Sequence, residues 1–199
     1  AQYVAYTRWN GYEWTYPNEI LTGQGERVAE FPAATLDSEQ RIHLVWTGQW
    51  DYYYSNALAG CAQTPRCWSE PVLIAGDSAR SPWSSAIAAT ETTVHVVYAT
   101  RGRNGRIFHV ASHDDGLTWT AATMVSDALA PDEETLSNVR LVADGRGVLH
   151  VVWQANDDEA FGLTVYYSRS VDGGVTWERP LTIDRKSEGD RWASYPYLA

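Results

Sequence analysis

Ser112-His113-Asp114-Asp115-Gly116-Leu117-Thr118-Trp119 returns later in the chain as Ser170-Val171-Asp172-Gly173-Gly174-Val175-Thr176-Trp177. Both stretches fit Ser-x-Asp-x-Gly-x-Thr-Trp. These residue types specify a tight hairpin turn. The Asp accepts backbone N–H bonds, the Gly takes a conformation barred to residues with side chains, and the Trp tucks its ring between layers. Ser112, Asp114, Gly116, Thr118 and Trp119, with Ser170, Asp172, Gly174, Thr176 and Trp177, are therefore expected to be structural.

Working outward from these turns, the same frame holds three strands of one pattern: Ile42-His43-Leu44-Val45-Trp46, Val94-His95-Val96-Val97-Tyr98 and Leu149-His150-Val151-Val152-Trp153. Each is followed by a turn-rich stretch and a second aromatic or β-branched run, at Tyr52 to Ser55, Ile107 to Val110 and Thr164 to Tyr167, which reads as its hairpin partner. Short runs precede each His-bearing strand (Phe31 to Leu36, Trp83 to Ala88, Asn138 to Ala143). Further strands are expected at Thr120 to Ser126 and Glu178 to Asp184. Four short strands per repeat, with no helix required, match a β-propeller blade rather than the continuous sheets of a sandwich.

The repeat divides the chain into the last two strands of a blade at 1–20, blades at 27–75, 80–127 and 135–184, and the first strand of another at 190–199. The expected fold is thus all-β, an incomplete ring of about 3.5 blades. Two degenerate turns fit the same frame. Thr7 to Trp14 keeps the Gly and Trp without the Asp, and Cys67-Trp68 stands where Thr-Trp is expected. A Cys61–Cys67 disulfide is inferred to close that second turn in place of the Asp bonds, because no second Cys pair or nearby His completes a zinc site. A disulfide favours an extracellular, cell-surface or periplasmic setting. The open edges call for the rest of the polypeptide, or another chain, to complete the ring.

Composition narrows the partners. Ten Trp and 12 Tyr against three Phe suit half-buried sheets and wet interfaces. A net charge of −10 leaves no basic surface for nucleic acid, and no apolar run is long enough to span a bilayer. His43, His95 and His150 occupy equivalent places in successive repeats, which separates them and argues against a shared metal.

On its two complete turns, the chain resembles the BNR/Asp-box repeat propellers, a family that includes sialidases. The resemblance implies that the Asp-boxes lie on the face away from the ligand, so Asp114 and Asp172 are not catalytic. It also implies, for a sialidase, three Arg on the substrate carboxylate, a Tyr nucleophile paired with a Glu, and an Asp acid/base. The first of those Arg belongs to an Arg-Ile-Pro motif. This chain has Glu30-Phe31-Pro32 and Ser194-Tyr195-Pro196 there, and Arg140 aligns with Ala33 instead.

Loops joining second to third strands, and repeat to repeat, are expected to form the ligand face. They carry Trp50 and Tyr52, Arg80 and Trp83, Arg101 and Arg103, Asp157 with Asp158 and Glu159, Asp132 to Glu134, and Arg191 with Trp192. Aromatic rings beside Arg and carboxylates suit sugars. No cofactor is expected; the acidic loops offer oxygen ligands for Ca²⁺ but without EF-hand spacing. The leading functional expectation is a glycan- or protein-binding scaffold module. The alternatives are an exo-sialidase-type glycoside hydrolase completed by further blades and a structural subunit of an extracellular assembly.

Overall fold

The computed structural model describes residues 3–22, 29–48, 51–75, 84–100, 105–126, 134–157, 162–185 and 196–198. Strands β1 (Tyr3–Tyr6) and β2 (Asn18–Thr22) form a two-stranded antiparallel sheet. Three four-stranded antiparallel sheets follow. The first is β3 (Glu30–Leu36), β4 (Arg41–Thr47), β5 (Tyr52–Leu58) and β6 (Val72–Ala75). The second is β7 (Ser84–Ala89), β8 (Val94–Ala99), β9 (Ile107–Ser112) and β10 (Thr123–Met124). The third is β11 (Glu134–Ala143), β12 (Leu149–Asp157), β13 (Gly162–Ser170) and β14 (Leu181–Arg185). Each is an up-and-down meander in chain order. Among the described residues the one helical element is a single 3₁₀ turn, Pro65–Cys67, and no helix is long and apolar enough to cross a membrane.

The near-continuous apolar runs of β4, β8 and β12 have a simple cause: both faces of these strands are covered. Leu44 and Trp46 pack back onto Val4, Ile20 and Leu21 of the two-stranded sheet, while Val45 between them points forward onto Ile87, Val96 and Tyr98. In β8 the alternation repeats, with Val94, Val96 and Tyr98 facing the first sheet and Val97 and Ala99 facing Val139, Leu141 and Trp153. A strand side chain changes face at every residue, so a layer buried on both sides needs an apolar residue at every position. Fully enclosed Trp46 and Trp153 dominate this packing. At ~25 cal/mol per Å² and on the order of 200 Å² each, their burial contributes about 5 kcal/mol apiece before entropy.

The sheets fan out from β3, β7 and β11, the strands through which neighbouring sheets touch most closely. The three His share one register: His43 lies between Thr35 and Asn56, His95 between Ala88 and Ala111, His150 between Val142 and Arg169. Two expected strands are shorter than the sequence implies. β10 is only Thr123–Met124 and β14 begins at Leu181, because the residues leaving each Trp are held by one backbone bond, Thr120 N–H to Ala111 O or Glu178 N–H to Arg169 O, before pairing resumes. Pro180 has no N–H to lend to a ladder. Cys61 and Cys67 are bonded.

Candidate functional site

The strands at the hub enclose an open depression of about 670 Å³, lined in part by Phe31, Ser84, Ser85, Asn138, Arg140 and Tyr197. Two of its three walls carry the same irregularity. In β3 the register passes from Glu30↔Thr47 directly to Ala33↔Val45, and in β11 from Ser137↔Gln154 to Arg140↔Val152. The middle wall, β7, runs regularly through Ser84↔Ala99, Ser85↔Tyr98 and Ala86↔Val97. Each bulge places a non-glycine residue in the left-handed region, Phe31 at φ 50° and Asn138 at φ 52°. Such residues cost on the order of 1–2 kcal/mol, and bulges re-aim side chains beside functional sites.

Each wall is braced locally. Thr47 Oγ1 donates to Glu30 O at 2.9 Å, Asn138 Nδ2 to Gln154 Oε1 at 3.1 Å, and Val139 N–H to Ser84 Oγ at 3.0 Å. Arg140 Nη1 donates to Val139 O at 2.9 Å, and no carboxylate among the described residues pairs with this guanidinium. Ser85 is buried, and its hydroxyl has no hydrogen-bond partner among the described residues. The depression thus offers a guanidinium that no carboxylate among the described residues pairs, an amide and the exposed rings of Phe31 and Tyr197.

The Ser-x-Asp-x-Gly-x-Thr-Trp turns stand at the opposite end of the sheets, beside the turns that open β4, β8 and β12. Asp114 Oδ1 accepts from Ser112 Oγ and Thr118 N–H, both at 2.8 Å, and its Oδ2 accepts from Thr118 Oγ1 at 2.6 Å. Asp172 does the same with Ser170 and Thr176. Donation from the Thr hydroxyl, then from the Thr and Ser groups, holds both carboxyls down at about 2. They are fully committed acceptors.

Beside them, each four-stranded sheet carries a His paired with a ring on the next strand, buried in the first two sheets and half-buried in the third. His43 Nδ1 lies 2.6 Å from Tyr54 Oη and its Nε2 3.0 Å from Asp37; His150 repeats this with Tyr167 at 2.8 Å and Asp144 at 3.7 Å. In the second sheet His109 replaces the Tyr, and His95 Nδ1 lies 3.1 Å from His109 Nε2. Burial pushes His95 down to about 4 and His109 to about 3, and it raises Tyr54. These two imidazoles are neutral near pH 7.

Of the residues expected on the ligand face, Tyr52 is placed elsewhere. It is fully buried in β5, and its hydroxyl donates to Ala99 O at 2.7 Å, tying the first sheet to the second. An alternating strand cannot present to a loop face a side chain that its neighbouring sheet encloses. Asp157 closes β12 opposite Glu134 and Gly162. Trp50, Arg80, Trp83, Arg101, Arg103, Asp132, Glu133, Asp158, Glu159, Arg191 and Trp192 lie outside the described residues. Phe31, Ser85, Asn138 and Tyr197 were not singled out from the sequence. A bulge has no compositional mark, and the Pro that follows Phe31 is its one local sign.

No protein-family model matches the sequence, and no curated protein sequence matches it. Solved structures do match. A protein of unknown function from Dyadobacter fermentans superposes on 90% of this chain and 58% of its own with a TM-score of 0.70 at 14% identity. The α-L-arabinanase of Penicillium chrysogenum complexed with arabinobiose covers 88% of this chain and 57% of its own, TM-score 0.63, 14% identity. A PL25 ulvan lyase bound to -[GlcA(1-4)Rha3S]- covers 87% and 47%, TM-score 0.57, 12% identity. The chain spans about half the length of these structures. At such identities the likeness establishes the fold, an all-β, propeller-like fan of antiparallel sheets.

Proposed function

We propose that this chain is part of an extracellular, sialidase-like propeller that binds a glycan in the hub depression, its three four-stranded sheets being blades and its Ser-x-Asp-x-Gly-x-Thr-Trp turns Asp-boxes on the far end. The observation that carries this reading is the matched pair of bulges at Phe31 and Asn138, which flank Arg140, a guanidinium that no carboxylate among the described residues pairs. Backbone strain at two equivalent positions facing one depression marks a site rather than a packing accident. An exposed ring packs on the apolar face of a pyranose, while guanidinium, amide and hydroxyl groups meet its oxygens. Two of the solved structures similar to this chain hold saccharides, arabinobiose and -[GlcA(1-4)Rha3S]-, which supports a glycan as the ligand class. The disulfide supports an oxidising compartment.

Glycan-array binding by the chain, followed by titration of the best saccharide, tests the proposal. Arg140→Met is expected to weaken binding by about 1.5–3 kcal/mol, the worth of a charge-assisted hydrogen bond, with an unchanged melting curve. Absence of saturable binding to any saccharide would sink it. A hydrolase reading draws its support from the carbohydrate-active enzymes among the similar structures. It requires turnover of a fluorogenic sialoside or arabinoside, which saturable binding without product would oppose.

A further inference from the structure

Successive sheets meet through one repeated joint, in which a ring of one sheet packs against the Trp that follows the third strand of the next: Tyr6 with Trp68, Tyr54 with Trp119, His109 with Trp177. Beside its joint the second sheet departs from its neighbours twice. In the first and third sheets the turn before the His-bearing strand begins with an Asp, whose N–H bonds the carbonyl two residues before the His (Asp37 to Arg41, Asp144 to Val148) and whose carboxylate faces the His Nε2. In the second sheet Thr90 bonds Thr93 in that place, and His95 Nε2 has no hydrogen-bond partner among the described residues. The residue after the Ser of the Ser-x-Asp-x-Gly-x-Thr-Trp turn changes too, from Val171 in the third sheet to His113 in the second.

Both departures face one cleft. It lies between the second and third sheets, has a volume of about 310 Å³, and is lined in part by His95, His113, Thr90, Thr120, Asp172 and Gly174. Because His95 stands opposite Ala111, His113 is its diagonal neighbour just beyond β9. Such neighbours lie about 7–8 Å apart, within reach of long side chains. His113 Nδ1 lies 3.0 Å from Thr93 Oγ1, which leaves its Nε2 for the cleft.

The tautomer of His95 is fixed from behind. The Gly174 carbonyl accepts a hydrogen bond from His109, at Nδ1, because His109 Nε2 faces His95 Nδ1 at 3.1 Å. Neutral His109 therefore accepts at Nε2, His95 donates its Nδ1–H to it, and the lone pair of His95 stands on Nε2. His95 is only 3% exposed, so a polar atom without a partner there is costly. An imidazole whose other N–H is donated to an acceptor is the arrangement that metal-binding histidines adopt. A neutral one has no proton to lose on binding.

We propose that this cleft binds a divalent transition-metal ion of the Zn²⁺ class through Nε2 of His95 and Nε2 of His113. Imidazole nitrogens suit borderline metals rather than Ca²⁺ or Mg²⁺, which take oxygen ligands. The ionised Asp172 in the lining adds negative charge that favours a cation. No group of three or more His, Cys, Asp or Glu that could hold a metal is present among the described residues, so water completes the coordination shell. The site stands apart from the hub depression and does not depend on a glycan there.

Calorimetric titration of the purified chain with Zn²⁺, read alongside NMR of the histidine ring nitrogens, tests this. One equivalent of zinc is expected to bind. At saturation Nε2 of His95 and of His113 should shift, while the rings of His43 and His150 keep their positions. His113 is exposed, so His113→Val, which installs the residue of the equivalent turn, should leave the zinc-free melting curve unchanged. It is expected to weaken zinc binding by more than about tenfold, since loss of even a supporting group typically costs that much. No uptake at zinc concentrations on the order of 1 mM would overturn the proposal. So would binding indifferent to His113→Val, or shifts confined to other imidazoles.

Discussion

Single residues decide whether neighbouring sheets can approach. At Gly116 the backbone sits at φ 87° and the Tyr54 ring fills the space a side chain would need. Gly116→Ala is therefore expected to cost about 2–4 kcal/mol, from left-handed strain together with overpacking. Gly173→Ala is the control: φ is also positive at 73°, but the space beside it is open. Chemical denaturation should show a loss for Gly173→Ala of about 1–2 kcal/mol, the strain alone. Asp114 and Asp172 add a second residue-scale expectation. Their folded-state pKa near 2 lies below the unfolded value, so the stability they contribute is complete above about pH 4 and is lost only as pH falls through 2. Near-UV circular dichroism of Trp119 and Trp177 should hold its turn signal to about pH 3. An earlier collapse would show that the carboxylates are not the staple.

Among the elements, the hairpin between β5 and β6 is held differently from its equivalents. Where the later turns use an Asp, this one is closed by Cys61–Cys67, and the loop reaches back to the two-stranded sheet. Thr15 Oγ1 donates to Gln63 Oε1 at 2.9 Å, Asn18 Nδ2 to Gln63 O at 3.2 Å, and Gln63 Nε2 to Tyr16 O at 2.9 Å. Reducing the bridge frees a short loop and is expected to cost about 2 kcal/mol by loop-closure entropy. The effect should be local: hydrogen exchange in β1 and β2 speeds up on reduction, while β8 and β12 stay protected. Uniform loss of protection would contradict a separable first joint.

At the scale of the molecule, the joint between the second and third sheets differs chemically from the one before it. His109 stands where Tyr54 and Tyr167 stand in their sheets, stacked on His95 and seated against Trp177. Burial holds these imidazoles at about 3 and 4, below their unfolded value near 6.5. Between those limits the unfolded chain binds more protons than the folded one. Stability is therefore full above about pH 6.5 and declines as pH falls towards 3. The melting temperature should drop across pH 6 to 4, and His109→Tyr, which restores the ring used at equivalent joints, should flatten that drop. An unchanged slope would place the acid sensitivity elsewhere.

The repeat itself was open to sequence reading because its chemistry is local. The Ser-x-Asp-x-Gly-x-Thr-Trp turn makes its hydrogen bonds within a few residues, and strands such as Val94 to Tyr98 announce double burial by carrying an apolar residue at nearly every position. The all-β fold of four-stranded antiparallel sheets follows from those two signals. What needed the tertiary structure depends on contacts between repeats. Tyr52 looks like a loop aromatic until Ala99, far along the chain, is seen to accept its hydroxyl. The bulges at Phe31 and Asn138 are decided by pairing register, which a sequence does not display, so the depression around Arg140 emerged only when the three hub strands stood side by side. The sequence determined the turn, the strand period and the staple, because each is satisfied by near neighbours. Tertiary structure alone decided which rings face glycines and which residues line the hub, because each is a relation between sheets.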